Sequence, residues 1–209
     1  MSSFSPALVR PVLVDRVLPR SLAVDAALVV AGAALTAGLA QLTVPMWPVP
    51  MTGQTFGVLL VGTVLGPLRG ALSMALYLAV GVLGLPVFAG GASGSLFALT
   101  SGGYVVGFVV AAALVGGLAR RAWDRRVVGT VVSFLAGTAV MYAFGLPWLA
   151  AVLGRLGPSV WHGALGYDSL AAAVWGAGFV PFLAGDLVKA VAAGLLLPLA
   201  WRGATRLRG

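Results

Sequence analysis

Apolar residues fill most of this chain in long segments, which are separated by short polar or glycine-rich connections. The first apolar segment covers residues 22–44 and contains one charged residue, Asp25. A transmembrane helix needs about 20 consecutive, mostly apolar residues, so this segment is long enough to span a bilayer. Five further apolar segments follow, at about 55–68, 70–85, 103–119, 127–149 and 170–201. The pattern predicts six transmembrane helices.

The composition supports a membrane protein of the all-α class. Of the 209 residues, 60% are hydrophobic and 9% are charged, whereas soluble proteins contain about 25% charged residues. Thirty glycines and twelve prolines suit helices that approach closely and break where function needs exposed backbone. No soluble domain fits between the apolar segments. We therefore expect residues 1–209 to form one integral membrane domain, a six-helix bundle.

The positions of the basic residues predict the orientation of the bundle. If all six segments span and the N-terminus is cytoplasmic, eleven arginines lie inside and Arg155 lies outside. The inside set is Arg10, Arg16, Arg20, Arg69, Arg120, Arg121, Arg125, Arg126, Arg202, Arg206 and Arg208. If the short second segment instead dipped in and returned, the later arginines would lie outside, against the positive-inside rule. We predict six spans with both termini cytoplasmic, in the cytoplasmic (inner) cell membrane.

This topology makes residues 1–20 a cytoplasmic segment and residues 86–103 and 151–169 external loops. The loops are rich in glycine, serine and aromatic residues, a composition that can close over a small ligand or can simply connect helices. The net charge of +8 does not indicate nucleic-acid binding, because the basic residues flank apolar segments instead of alternating with aromatics.

One acid and one base interrupt the last apolar segment, in the stretch "PFLAGDLVKA" at 181–190. Asp186 and Lys189 are three residues apart, so a helix places them on one face. Each costs about 2.5 to 3.5 kcal/mol at the centre of a spanning helix, so such residues usually face the bundle interior. The pair either fixes helix packing or presents donors and an acceptor to a polar ligand that enters from outside.

A second polar group precedes the second apolar segment, in "PVPMTGQTFG" at 48–57. Two prolines forbid a regular helix there, and unwound backbone at membrane depth is tolerated mainly beside a cavity. Thr52 and Gln54 could therefore contact a ligand, with Gln54 offering both a donor and an acceptor. The alternative is that they cap the helix.

Small residues recur at four-residue spacing on the first two spans. The rows are Ala23, Ala27 and Ala31; Ala33 and Ala37; and Gly62, Gly66 and Gly70. Such rows let helix backbones meet. They serve packing within this chain or, on an outward face, docking of a partner subunit.

Catalytic and metal-binding motifs are missing from the sequence. His162 is the only histidine, there is no cysteine, and HExxH, GxSxG and Walker A motifs are absent. We expect no enzyme activity, no catalytic residue, no metal and no cofactor. ATP-driven transport would require a separate ATPase.

Three stretches together resemble the BioY family of biotin transporters. They are "VPMTGQTFGVLLVGTVLGPLRGALSMALYLAVGVLGLPVFAGG" at 49–91, "GGYVVGF" at 102–108 and "PFLAGDLVKA". The chain departs from the family at "LAGD", where the family commonly has "LPGD", and at "LTSGGY", where it has "GPTGGY". The resemblance implies the substrate-binding S component of an energy-coupling factor (ECF) transporter. Such a component captures biotin from outside and works with a membrane T subunit and two ATPase subunits.

The resemblance also implies particular roles for residues. The family's acid and base fall on Asp186 and Lys189, its lid loop on residues 86–103, and its T-subunit docking row on Ala23, Ala27 and Ala31. The expected substrate-binding residues are Asp186, Lys189, Gln54, Thr52, Phe88, Gly90, Gly91, Tyr104 and Tyr77. The acid and base would meet the ureido ring of biotin, or Lys189 would bind its carboxylate. The expected function is high-affinity biotin binding and uptake; the alternative is an S component or carrier for a different vitamin.

Overall fold

The computed structural model describes residues 10–206, which are mainly helical. The helices are α1 (Leu22–Ala40), α2 (Gln54–Leu65), α3 (Pro67–Val82), α4 (Gly102–Ala119), α5 (Val127–Leu156), α6 (Leu170–Gly178) and α7 (Leu183–Arg206). Two short strands, β1 (Thr43–Val44) and β2 (Met51–Thr52), pair antiparallel before α2. The sequence predicts that residues 1–9 and Arg208 lie on the cytoplasmic side. These positions are not among the residues that the structure describes.

Four segments are long and apolar enough to cross a membrane: α1, α4, α5 and the stretch Leu170–Thr205. α2 and α3 are apolar but shorter, with 12 and 16 residues. At 1.5 Å per residue, α2 is about 18 Å long, which is less than the hydrocarbon core of about 30 Å. The crossing of the membrane by these two helices therefore stays a prediction.

The sixth apolar segment is divided into two helices, whereas the sequence predicted one span over 170–201. α6 ends at Gly178, a short 3-10 turn follows at Val180–Phe182, and α7 begins at Leu183. Pro181 contributes to the break, because proline lacks a backbone N–H, and Phe179 leaves helical geometry with φ −130° and ψ −60°. Asp186 consequently lies in the first turn of α7. The positive end of the helix dipole there favours a carboxylate.

Glycines allow α2, α3 and α4 to meet closely at the centre of the bundle. A Cβ on Gly62 would lie 2.5 Å from the carbonyl oxygen of Ala112 on α4, and one on Gly70 would lie 2.7 Å from the Cα of Gly62. Gly66 has a different role: its φ of +88° forms the turn between α2 and α3. Two members of the predicted glycine row thus serve packing within the chain.

The alanine rows of α1 face in two directions. Ala33 is buried and Ala37 is half-buried, so this row faces the bundle. Ala23, Ala27 and Ala31 are exposed on the outer face of the helix.

Contacts between connecting segments define two ends of the bundle. At one end, Asp15 accepts hydrogen bonds from Arg20 at 2.8 Å and from Arg69 at 2.9 Å, and Arg69 also pairs with Asp25 at 3.0 Å. Burial alone would raise the pKa of Asp15, but its hydrogen bonds and charge interactions with Arg20 and Arg69 outweigh burial and lower that pKa. This network holds the segment before α1 against the start of α3.

The connection between α4 and α5 lies at the same end. It contains a 3-10 turn, Trp123–Arg125. The indole of Trp201, near the end of α7, donates a 2.6 Å hydrogen bond to the buried carboxylate of Asp124. Arg125 lies over the Trp201 ring at 4.3 Å and donates to the Pro11 carbonyl at 3.3 Å. We call this the arginine end.

At the opposite end, the loop between α3 and α4 covers the bundle. The side chain of Gln41 donates to the Phe88 carbonyl at 3.2 Å, and the Thr100 hydroxyl donates to the Pro48 carbonyl. The indole of Trp148 on α5 donates to the Leu99 carbonyl at 3.0 Å. The loop is therefore attached to three separate parts of the chain.

Candidate ligand-binding site

A cavity of about 50 Å³ lies between α2, α4, α5 and α7, below the loop that joins α3 and α4. Its polar lining is Thr52, Gln54, Thr55, Ser101, Thr138, Tyr142, Asp186 and Lys189. Its apolar and aromatic lining includes Val49, Tyr104, Val105, Phe108, Met141 and Phe182. The cavity thus combines a cluster of hydrogen-bonding groups with an apolar wall, as small-molecule sites commonly do.

Asp186 and Lys189 face this cavity from α7. Each of them lies closer to a hydrogen-bond partner on another element than the two lie to each other. The Lys189 Nζ lies 3.6 Å from the Asp186 carboxylate, which is an ion-pair distance rather than a hydrogen bond. Lys189 donates to the Thr55 hydroxyl at 2.8 Å and to the Thr52 carbonyl at 3.0 Å. The Asp186 carboxylate accepts a 2.5 Å hydrogen bond from Tyr142. The side chain of Asp186 is 7% exposed, so these partners stabilise a nearly buried carboxylate.

Gln54 is held in place by residues on both sides of it. The Thr52 hydroxyl donates to the Gln54 side-chain oxygen at 2.8 Å, and the Gln54 amide donates to the Tyr77 hydroxyl at 2.6 Å. Tyr77 in turn donates to the Val87 carbonyl at 3.0 Å. Among the described contacts, Gln54 uses one of two amide hydrogens and one of two lone pairs, so a donor and an acceptor remain for a ligand.

Five of the nine predicted substrate-binding residues line the cavity. These are Thr52, Gln54, Tyr104, Asp186 and Lys189. Tyr104 also donates a 2.8 Å hydrogen bond to the Gly178 carbonyl at the end of α6, which fixes the break between α6 and α7. The structure therefore brings together residues from β2, α2, α4 and α7.

The other four predicted residues lie behind this lining or in the covering loop. Tyr77 supports Gln54 from behind, and Phe88 is buried edge-to-face against Tyr77 at 5.5 Å. Gly90 and Gly91 adopt positive φ angles of 65° and 76°, next to Ala89, which does line the cavity. Direct contact of these four residues with a ligand stays a prediction.

Tyr142 and Thr55 belong to the polar cluster but were not predicted from the sequence. Tyr142 lies four residues after Thr138, which also lines the cavity, so both occupy one face of α5. Two polar residues one turn apart in an apolar span are the same signal that identified Asp186 and Lys189. Thr55 offers no such signal, because its polar neighbour Thr52 lies on β2 rather than on the same helix.

The fold and the site together define a mainly helical membrane protein whose helices enclose a small cavity with a polar cluster and an apolar wall. A model of the BioY family matches residues 13–206, and the chain belongs to this family.

Two relatives and one solved structure agree with this assignment. The biotin transporter BioY of Rhizobium etli is 38% identical over 157 residues, covering 71% of this chain and 76% of the relative. The probable biotin transporter BioY of Pyrococcus horikoshii is 36% identical over 172 residues, covering 81% and 91%. A crystal structure of the S-component for biotin from an ECF-type ABC transporter superposes with a TM-score of 0.71 and 22% identity, covering 88% of this chain and 95% of that one. At that identity the superposition shows a shared fold. The named relatives are transporters rather than enzymes.

Proposed function

We propose that this protein binds biotin and carries it across the cytoplasmic membrane as the S component of an ECF-type transporter. The observation that carries the proposal is the polar cluster of Asp186, Lys189 and Gln54 beside an apolar wall, in a chain whose relatives are named biotin transporters. A T subunit and two ATPase subunits would supply the energy, since the sequence has no nucleotide-binding motif.

The chemistry of the cluster suits the two ends of biotin. The ureido ring has two N–H donors and a carbonyl acceptor, which a carboxylate and an ammonium group can satisfy. Its thioether ring and aliphatic chain would contact apolar side chains such as Phe108 and Met141. The carboxylate of biotin could instead bind Lys189, with Asp186 orienting the lysine.

Biotin binding would require the cavity to widen. A cavity of about 50 Å³ holds only a few water-sized groups, since one water needs roughly 10–15 Å³. Pockets for small organic ligands commonly measure roughly 300 Å³ or more. The covering loop contains glycines with positive φ at residues 84, 90, 91 and 94, which suit it to rearrange. Lys189 would exchange Thr55 for the ligand as the loop moves.

The two ends of the bundle support the proposed orientation. The contacts of Asp15, Arg69 and Arg125 gather the basic connections at the arginine end, which we assign to the cytoplasm by the positive-inside rule. The ligand cavity then lies near the outer face, below an external loop that includes residues 86–103, with 151–169 as the second external loop. α2 and α3 each run between the two ends, which supports six crossings. Residues 1–209 would form one membrane domain, with 1–20 on the cytoplasmic side.

The exposed row Ala23, Ala27 and Ala31 would dock the T subunit. Its small side chains let a partner helix approach the α1 backbone, and its exposure leaves the row free of packing within the described chain.

A binding titration tests the proposed substrate. Purified protein would be titrated with biotin, biotin methyl ester, thiamine and riboflavin, and the heat of binding measured. Saturable binding of biotin alone among the vitamins supports the proposal, and preferential binding of another vitamin would assign the scaffold to that vitamin. Undiminished binding of the ester would exclude a contact between Lys189 and the biotin carboxylate.

A further inference from the structure

A second cavity, of about 640 Å³, opens at the arginine end of the bundle. It lies between the 3-10 turn Trp123–Arg125 and the first turns of α5. Its basic lining is Arg10, Arg121, Arg125 and Arg126, and its apolar lining includes Val128 and Val132. It shares no lining residue with the ligand cavity.

The charges around this second cavity are poorly compensated. The adjacent acid, Asp124, is buried and accepts its hydrogen bond from Trp201. Burial lowers the pKa of Arg125, and the positive charges of Arg10 and Arg16 act in the same direction, against the attraction of Asp124. Within residues 10–206, the buried Nε of Arg125 has no hydrogen-bond partner. Guanidinium groups collected in this way favour an anion.

The start of α5 adds to this preference. The helix begins at Val127, and Arg126 provides no side-chain cap for its first turn. The first backbone N–H groups of a helix lack intrahelical partners, and the helix dipole makes this end positive. Gly129, in this first turn, also lines the cavity. An anion held by the arginines would thus also lie near the positive end of a 30-residue helix.

An exposed apolar strip leads away from the arginines along α5. It consists of Val128, Val132 and Leu135, which are 74%, 43% and 41% exposed. Their spacing of four and three residues puts them on one face of the helix. Trp123, which is 41% exposed, lies beside the arginines, as aromatic residues do at membrane interfaces. A small inorganic anion would leave this strip uncovered, whereas an acyl chain would cover it.

We propose that this cavity binds the phosphate head group of an anionic phospholipid from the adjacent leaflet, with one acyl chain along Val128, Val132 and Leu135. Basic pockets beside transmembrane helices bind such head groups through the same combination of guanidinium groups and neighbouring apolar surface. The site is separate from the proposed biotin site and needs no partner subunit.

Native mass spectrometry of the purified full chain, titrated with phosphatidylglycerol or phosphatidylcholine in detergent, tests the proposal. We expect tighter binding of phosphatidylglycerol. The test variant is Arg121→Gln/Arg126→Gln, because the side chains of these exposed arginines make no described hydrogen bond, and the substitutions leave their backbone bonds in place. The matched control is Arg120→Gln/Arg202→Gln, which removes the same charge at the same end but outside the cavity lining. If each arginine contributes about fivefold near anionic lipid, the test variant loses about 25-fold in affinity. The control should lose much less.

Three results would overturn the proposal. Equal losses in the test and control variants would indicate diffuse attraction between the basic end and any anionic lipid. Displacement of the lipid by inorganic phosphate at equal concentration would indicate a site for a free anion. Unchanged lipid binding in the test variant, with loss of co-purification of T and ATPase subunits, would assign the arginines to a protein interface.

Discussion

The hydroxyl of Tyr142 on α5 donates a 2.5 Å hydrogen bond to the carboxylate of Asp186 on α7. This contact joins two helices across the cavity and gives the acid a closer partner than Lys189, which is 3.6 Å away. The orientation of the acid therefore depends on a phenol from another helix.

The change Tyr142→Phe should weaken biotin binding, because it leaves the Asp186 carboxylate without the donor that orients it. Hydrogen bonds to ionised groups contribute about 1.5 to 3 kcal/mol, so we expect a loss of about 10- to 100-fold in affinity. Isothermal titration calorimetry measures this loss. The matched control is Tyr167→Phe, outside the cavity, which should bind as the unmodified protein does. Equal affinities of Tyr142→Phe and the unmodified protein would remove Tyr142 from the site.

Neutralising the acid and the base separately and together distinguishes a structural ion pair from a ligand site. Asp186→Asn or Lys189→Gln alone leaves one charge nearly buried and poorly compensated, which should cost about 1 to 3 kcal/mol of stability. The double variant contains neither charge and should recover much of this loss in thermal unfolding. It should not recover biotin binding, because the ligand contacts are also gone. Recovery of both stability and binding would mean that the two residues serve helix packing alone.

Lowering the pH should destabilise the arginine end of the bundle, because Asp15 becomes protonated there. Because hydrogen bonds and charge interactions lower its folded-state pKa below the unfolded value, this residue contributes stability above the unfolded pKa. That contribution is lost as the pH falls through the folded-state pKa, that is, below about 4. Thermal unfolding measured between neutral and acidic pH should therefore show a smaller acid-induced loss for Asp15→Asn than for the unmodified protein. Asp168→Asn, an exposed acid elsewhere, is the control and should retain the full loss.

A bulky residue in the exposed row Ala23, Ala27 and Ala31 should leave biotin binding intact and block the coupling of this protein to its T and ATPase subunits. Ala27→Trp places an indole on the exposed face of α1, away from the ligand cavity, so biotin affinity should be unchanged. Biotin uptake that depends on the T and ATPase subunits should fall to background in whole cells. The control is Leu196→Trp on the exposed face of α7, which should keep uptake. Loss of biotin binding in purified Ala27→Trp would contradict this division of roles.

Much of the fold could be predicted because membrane-spanning helices have a simple sequence pattern. The segments 103–119 and 127–149 correspond to α4 and to most of α5, since apolar length largely determines a spanning helix. The break between α6 and α7 was not predicted, although Pro181 marks it. An apolar stretch of that length satisfies the hydropathy pattern whether or not it is interrupted.

The site was predicted in part, for a related physical reason. Asp186, Lys189, Gln54 and Thr52 are conspicuous because polar residues are rare in apolar sequence, and all four line the cavity. The closer partners of the acid and the base, Tyr142 and Thr55, depend on how α5 and α2 pack against α7. Local spacing with Thr138 can mark Tyr142 as facing the cavity, but tertiary contacts determine which residues pair with the acid and the base.

The two hydrogen bonds of Lys189 also connect α7 to the rest of the bundle. Glycine contacts hold α2, α3 and α4 together as a close-packed group, and Lys189 reaches from α7 to this group through Thr55 and the Thr52 carbonyl. If biotin takes the place of Thr55, the vitamin becomes part of the connection between α7 and this group of helices. A loaded transporter would then differ from an empty one in stiffness as well as in occupancy, and a partner subunit could sense its cargo through that stiffness.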